Sequence, residues 1–292
     1  MQLHQLEYFV AVARQLHFTR AAEELHVAQP SVSQQIRKLE TELGVRLFHR
    51  MKRRVALTPA GETLLPRARR VLSDIEEARA EVQELAGLRR GRLAVGAPPS
   101  VSTTLLPRAM AAFHAEYPGV TLSLREAGSG DLIRYLEQGE LDLAVVIMPA
   151  RHPALHTTPL LDEELVLAVP PDHHLADRDS VDIAELRETP FVMFGEGYDL
   201  RVTTLAACRR AGFEPRVAVD GGEMDSILRL VAAGLGVAIV PGMVIEPGAG
   251  VRGIRVDRPA LTRRLALAHR RDRSLSRAAR EFATIMRRLA RR

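Results

Sequence analysis

Leu3, Leu6, Phe9, Val10 and Ala13 recur at helical spacing from the start of the chain, and a second short helix, opened by Thr19, carries Ala21, Ala22 and Leu25. A third helix is expected from Gln29. Pro30 sits in its first turn, where the missing N–H costs nothing, and Val32, Ile36, Leu39 and Leu43 form one apolar stripe. Three or four residues separate the second helix from the third, the spacing of a helix-turn-helix whose second member can enter a major groove. At about 100° per residue, Pro30, Gln34, Arg37 and Lys38 lie opposite the stripe, with Ser31 and Ser33 on its flanks. Gln29 and Gln34 suit base edges, the serines suit bases or phosphate, and Arg37 and Lys38 suit the phosphate backbone.

The run LFHRMKRRVALT then places two short β-type segments around a loop carrying Arg50, Lys52, Arg53 and Arg54. A basic loop directly after a helix-turn-helix reads as a wing for phosphates or a narrow minor groove; alone it would read as a solvated loop. Thr58 caps a further helix with Pro59 at its first position, expected to run from 59 to 88. Its apolar residues Leu64, Ala68, Val71, Ile75, Ala78, Val82 and Leu85 alternate steps of four and three, the repeat of a coiled-coil seam, so the protein should dimerise through this rod. The competing reading is a helix packed on its own domain, towards which Leu65 and Leu72 widen the stripe, and Pro66 predicts a bend.

From residue 91 the pattern changes to strands alternating with helices of 8 to 15 residues, which predicts an α/β domain with a largely parallel sheet. GRLAVGAP, VTLSLREAG and LDLAVVIM alternate with helices over 105–118 and 131–138. The pattern restarts at LVLAVP, and the strand LALAHR and a helix over 274–290 close the chain. Two lobes joined by crossings near Leu160–Asp162 and Arg264–Leu267 would form a hinged cleft, with lobe I at about 91–161 and 266–292 and lobe II at about 162–265. Ligands of such sheets bind beyond the C-terminal strand ends. Ser100, Ser102 and Ser129 fall there, as helix caps taken singly and as ligand donors if they converge.

The chain has 292 residues, 46% apolar, with a formal net charge of +5, which excludes disorder and predicts two or three compact units. Charge is uneven: residues 1–90 carry net +4, 91–262 net −8 and 263–292 net +9, and within 37–70 ten basic side chains face three acidic ones. That concentration suits a polyanion, which the acidic middle would repel. The Arg287, Arg288, Arg291 and Arg292 cluster reads as a solvated helix end. Cys208 is the one cysteine, so no internal disulfide or sulfur-bound metal is expected. No run approaches a membrane span and the first residues lack a basic leader, so a cytoplasmic protein is expected.

Other motifs carry less. Gly248 to Gly253 spells G-x-G-x-x-G but opens no helix, so a surface turn is expected. His173 and His174 with Asp172 and Asp177 read as a solvated loop, and no metal or cofactor is expected. No catalytic arrangement stands out.

The stretch FTRAAEELHVAQPSVSQQIRKLETELGVRLFHR, followed by VALTPAGETLL, resembles the N-terminal signature of the LysR-type transcriptional regulators, and VAAGLGVAIVP resembles a recurrent segment of their second half. The resemblance implies an α+β winged helix-turn-helix domain (1–58), a linker and dimerisation helix (59–90) and an α/β two-lobed, periplasmic-binding-protein-like effector domain (91–292). It places DNA contacts on Gln29, Pro30, Ser31, Ser33, Gln34 and Arg53, with Gln34 standing where relatives often have Arg. It places effector contacts on Ser100 and Ser129, and on Tyr198, Asp199 and Leu200 in the second lobe. Cys208 falls roughly where peroxide-sensing relatives have one cysteine; position 199 is Asp, so a dithiol switch inside one chain is not expected. The expected protein is a sequence-specific regulator, not an enzyme, controlled by a small effector, with an organic acid the expected class. Its expected partners are double-stranded promoter DNA, the effector, a second copy of itself as dimer or tetramer, and RNA polymerase as a candidate, with no membrane. The alternatives are an α/β binding protein or enzyme with an incidental helix-turn-helix, and an architectural DNA protein without an effector.

Overall fold

The computed structural model of the chain describes residues 1–51, 54–84, 91–150 and 152–291. Lys52, Arg53 and Leu85 lie outside them, and Arg50 and Arg54 are described as strand residues only. Two compact units form, one over Met1–Gly87 with Glu137–Glu140 and one over Leu88–Leu136 and Leu141–Arg292.

The first unit packs α1 (Leu3–Gln15), α2 (Phe18–Glu24) and α3 (Gln29–Leu43) around Leu6, Phe9, Val12, Ala21, Ala22, Val32, Ile36 and Leu39. Burying each large apolar side chain contributes roughly 1.5–3 kcal/mol. The start of α2 differs from expectation. Its N-cap is His17, in extended backbone, whose Nδ1 accepts the Arg20 N–H at 3.4 Å, so Thr19 lies inside the helix. Phe18 sets that start by packing edge-on against Phe48 at 5.8 Å. Gly44 ends α3 at φ +71, a left-handed conformation that favours glycine.

A hairpin follows, β1 (Phe48–Met51) against β2 (Arg54–Leu57), with Phe48 opposite Leu57. Glu40 of α3 pins its entry, one carboxylate oxygen accepting the N–H groups of Leu47 at 2.9 Å and Phe48 at 3.3 Å. Thr58 donates to the Arg46 carbonyl at 2.6 Å and accepts the Gly61 N–H at 3.1 Å, which caps α4 (Pro59–Glu84). The seam expected along α4 divides. Ala68 is buried in the core of its own unit, and Leu64, Leu65 and Leu72 pack half-buried against that core. Because α4 runs against α1, Leu64 and Ala68 are used within the chain rather than kept for a partner. Further along, Val71 and Val82 are 41% and 68% exposed, Ala78 is exposed and Ile75 half-buried.

In the second unit, β3 (Gly91–Ala97), β4 (Val120–Glu126) and β5 (Leu143–Met148) are parallel, with α5 (Pro99–Thr103), α6 (Leu105–Glu116) and α7 (Ser129–Glu137) between them. The chain then leaves along β6 (Leu155–Val169) and returns along β12 (Thr262–Arg270), and α10 (Arg277–Ala290) packs Phe282 edge-on against Phe113 of α6. Between the crossings lie β7 (Ser180–Asp182), β8 (Pro190–Met193), α8 (Asp199–Arg210), β9 (Arg216–Asp220), α9 (Met224–Ala232), β10 (Ala238–Pro241) and β11 (Arg252–Arg258).

The expected largely parallel sheet is corrected to a mixed one. Strands β5, β12, β6 and β11 run antiparallel in turn, because the outgoing and returning crossings lie side by side and must oppose each other. Strand β6 pairs with β12 up to Glu164, then with β10 and β11 from Leu165 and Val166 onward, so one continuous strand belongs to both lobes. Each lobe keeps its own core, around Leu93, Leu106, Phe113 and Phe282 in lobe I and around Phe191, Phe194, Ile227 and Val240 in lobe II.

Candidate functional site

The face of α3 opposite its buried stripe carries Gln29, Pro30, Ser31, Ser33, Gln34 and Arg37, which together line one open depression of about 460 Å³. Ser31, Gln34, Arg37 and Lys38 are exposed, and Ser33 is buried. Arg37 and Lys38 make no ion pair among the described residues. Lys38 lies on the same face, outside the depression. Pro30 frees the first turn from an unused N–H, so this end of α3 presents side chains and backbone donors together. Such a face can hydrogen-bond base edges through its amides and neutralise phosphates through its cations. In the hairpin, the Arg53 expectation lies outside the described residues.

In the second unit the cleft residues divide by role. Ser100 is buried and its Oγ accepts a hydrogen bond from Nη2 of Arg263 at 2.9 Å. Arg263 in turn donates from Nε to Glu163 at 2.7 Å, and the other Glu163 oxygen accepts the Met243 N–H at 3.0 Å. Leu200 is buried in the core of lobe II. Two expected residues, Ser129 and Asp199, meet between the lobes. Ser129 accepts the Ile147 N–H at 3.1 Å and donates to Oδ2 of Asp199, at the start of α8, at 3.3 Å. Tyr198 stacks on Phe194 at 5.6 Å. Burial, with the carboxylates of Glu223 and Glu126 nearby, pushes its phenol up to about 12. The Ser102 hydroxyl is buried beside the Glu126 carboxylate, whose pKa burial raises and Ser102 lowers by a smaller amount.

Sequence reasoning missed Glu126, Glu223, Glu163 and Arg263. Glu126 had a local signal, an acid ending the strand before Gly128-Ser129-Gly130, whereas Glu163 and Arg263 stand 100 residues apart and meet only through the pairing of β6 with β12. Near Ser129 and Tyr198 the Arg263 guanidinium is held by Glu163, and the first turns of α8 and α9 carry Asp199 and Asp225.

Elsewhere, residues 248–253 form a turn that runs into β11 and open no helix. The His173 and His174 rings lie 4.3 Å apart, and burial, then the His174 charge, lowers the His173 pKa. Among the described residues no three of His, Cys, Asp and Glu converge to hold a metal ion, and no helix is long and apolar enough to cross a membrane.

Known proteins share both units. Residues 3–62 match the family described as bacterial regulatory helix-turn-helix protein, lysR family, and residues 86–291 match the LysR substrate binding domain. An uncharacterized HTH-type transcriptional regulator of Bacillus subtilis (strain 168), YwbI, is 34% identical over 285 residues, covering 97% of this chain and 94% of that protein. Full-length OxyR C199D from Pseudomonas aeruginosa superimposes with a TM-score of 0.76 at 30% identity, covering 100% of this chain and 95% of that one. Full-length CbnR, solved in complex with its target DNA, superimposes with a TM-score of 0.73 at 27% identity, covering 99% of this chain and 100% of that one. These relatives are transcriptional regulators rather than enzymes, and regulators of this kind bind DNA and small-molecule effectors and form oligomers. With both halves of the family architecture matched, the chain belongs to the LysR family of DNA-binding transcriptional regulators, carrying a helix-turn-helix domain and an effector-binding domain.

Proposed function

We propose that this regulator reads promoter DNA through α3, with Gln29 and Gln34 against base edges, Ser31 and Pro30 against the groove wall, and Arg37 and Lys38 on phosphates. The observation that carries this reading is the grouping of Gln29, Pro30, Ser31, Gln34 and Arg37 on the outward side of the second helix of a helix-turn-helix. That CbnR was solved with its target DNA supports it by likeness. The hairpin after α3 acts as the wing, and its basic residues add affinity that does not depend on sequence. Two or more copies act together, joined along the exposed part of α4 at Val71 and Val82, with the two reading helices on one face of the duplex.

The effector enters the gap between the lobes, where Ser129 and Asp199 meet beside Tyr198. An effector that prefers one degree of lobe closure biases the assembly, and hence DNA spacing and bend, only as far as its affinities for the two states differ. The protein acts in the cytoplasm, and RNA polymerase is the partner through which the bound complex changes transcription.

Fluorescence anisotropy of the full chain on its own upstream intergenic fragment, against a scrambled fragment at near-physiological ionic strength, tests the reading. Preference for the native fragment, lost on Gln34→Ala, is the expected result. Equal affinity for both fragments across the salt range would overturn it.

A further inference from the structure

The side chain of Gln5 is a buried amide where α1 faces α3, only 4% exposed. A buried carboxamide has an acceptor end and a donor end, and each needs its own kind of partner. The Oε1 of Gln5 accepts the Gln2 N–H at 2.8 Å, and its Nε2 donates to Oε1 of Gln35 on α3 at 3.3 Å. A backbone N–H can only donate, so it fixes which end of Gln5 faces the start of α1. Gln5 in turn fixes which end of Gln35 faces inward. The Nε2 of Gln35 is thereby turned away from Gln5, and its N–H groups have no partner among the described residues. Gln35 is half-buried and this nitrogen remains accessible.

Gln35 occupies an edge of the outward face of α3. At about 100° per residue it stands about 40° from Ser31 and about 60° from Lys38, both exposed, and about 100° from Gln34. The start of α1 runs along the same edge, since the Met1 amino group pairs with Glu42, two helical turns after Gln35. Where a helix lies in a major groove, its centre faces base edges and its flanks face the phosphates of the groove walls. Fold stability alone gives no reason for the amide pair, because a buried amide gives up water for one bond of 3.3 Å, and apolar side chains of the same shape would serve as well there. What the two amides add is direction: a donor points outward at the flank.

We propose that Gln35 is a further DNA contact, its Nε2 donating to a phosphate at the groove wall, and that Gln5 is the positioning residue that holds the Gln35 amide in that orientation. This rests on the reading of α3 as the helix in the groove. Gln35→Glu keeps an acceptor for Gln5 but turns a carboxylate oxygen, not an N–H, towards the phosphate.

Anisotropy titrations of the full chain on the native and scrambled fragments, at several salt concentrations, test it. Gln35→Ala should weaken binding to both fragments by the same factor, roughly tenfold, and leave the salt slope unchanged, because a neutral donor displaces no counter-ion. Gln35→Glu should weaken both by more than Gln35→Ala does, through repulsion of the phosphate. Gln5→Leu should weaken both by about threefold in the parent and have no effect in the Gln35→Ala background, because a residue that acts only through Gln35 then has nothing to orient. Melting temperatures of the unbound variants check their folds, and either Gln35 variant that folds serves as the background. Parent-like binding by Gln35→Ala or Gln35→Glu overturns the contact. Loss of preference for the native fragment on Gln35→Ala, with binding to the scrambled one unchanged, overturns it too, since the contact would then be to a base. Equal weakening by Gln5→Leu in both backgrounds overturns the positioning role and leaves Gln5 a purely structural residue. If Gln34→Ala abolishes the preference while the Gln35 variants bind as the parent does, this inference falls alone. If the parent prefers neither fragment, the reading of α3 falls and takes the inference with it.

Discussion

Arg263 donates from Nε to Glu163 Oε2 at 2.7 Å, and their side chains are only 5% and 6% exposed. The pair is fully supplied: Glu163 also accepts the Met243 N–H, and Arg263 also donates to Ser100. It thereby ties α5 of lobe I, both crossing strands and the turn after β10 of lobe II into one knot. Burial lowers the Arg263 pKa and Glu163 opposes that shift. Glu163→Gln removes the counter-charge and leaves a buried guanidinium, which should cost about 3–5 kcal/mol in denaturant unfolding. The paired apolar replacement, Glu163→Leu with Arg263→Met, should cost less than either single change, since it removes both desolvation penalties. A double variant as unstable as the sum of the singles would show that packing, not the ion pair, holds this region.

Gln34 and Arg37 share the outward face of α3 but should fail differently. Gln34→Ala should lose discrimination worth about 1–3 kcal/mol at one base position with little change in salt dependence. Arg37→Ala should weaken binding to every sequence and reduce the slope of log affinity against log salt by about 1. Anisotropy titrations at several salt concentrations separate the two, and identical salt slopes for both variants would contradict the division of labour.

How much of this was legible in the sequence depends on how local each signal is. The Pro30 start, the Thr58-Pro59 start and three residues of the α3 stripe, Val32, Ile36 and Leu39, depend on neighbours a few residues away and are found as read, whereas Leu43, the fourth expected in the stripe, ends the helix exposed. Thr19 was misread because its hydroxyl suits a cap, while the packing of Phe18 on Phe48, thirty residues away, sets the helix start. Leu64 and Ala68 fit a heptad and a domain core equally well, and only the tertiary course of α4 past α1 decides between them. The antiparallel crossing, the three- and four-residue strands β7 and β8, and the Glu163–Arg263 pair follow from long-range pairing that no window of sequence contains. For the cleft, hydroxyls were visible as residue types, but which of them were already used was not: Ser100 is engaged by Arg263, and Ser102 lies against Glu126.

Gly61 should be among the least replaceable residues of the first unit. A Cβ there would lie 2.2 Å from the Leu47 carbonyl oxygen and 2.8 Å from a methyl of Leu57, so α4 can rest on the hairpin only without a side chain. Since backbone must move to make room, Gly61→Ala should destabilise the unit by about 1–3 kcal/mol, although alanine favours helix elsewhere. Loss of at least several degrees in melting temperature is the expected reading, and a neutral or stabilised variant would refute the close approach.

The exposed valines of α4 predict an assembly defect without a folding defect. Val71 and Val82 are 41% and 68% exposed, and neither belongs to the core of the first unit. Charged replacements, Val71→Glu with Val82→Glu, should therefore lower the sedimentation mass of the full chain at micromolar concentration and weaken DNA binding through lost bivalency. Far-ultraviolet circular dichroism should be unchanged. Unaltered mass would mean that oligomers form through another surface.

Cys208 offers a test of whether a thiol in this position can sense oxidants. It is fully buried in lobe II, and burial, with a smaller effect from Glu214, pushes its pKa up to about 11. A group whose folded pKa is raised contributes stability below its ordinary value and loses it as pH rises through the folded one, so Cys208 should not disturb the fold between neutral pH and about 9. Over that range the thiolate, which is the nucleophile, forms on the order of one part in a thousand at pH 8. Iodoacetamide should therefore modify the native protein far more slowly than the unfolded chain, with a rate that climbs steeply above pH 9. Peroxide at levels that oxidise an exposed thiol should leave promoter binding intact, and Cys208→Ala should behave as the parent does. Rapid native-state alkylation at pH 7, or peroxide-dependent DNA binding abolished by Cys208→Ala, would show that lobe II opens enough to expose this sulfur and that the chain can work as an oxidant sensor with a single cysteine.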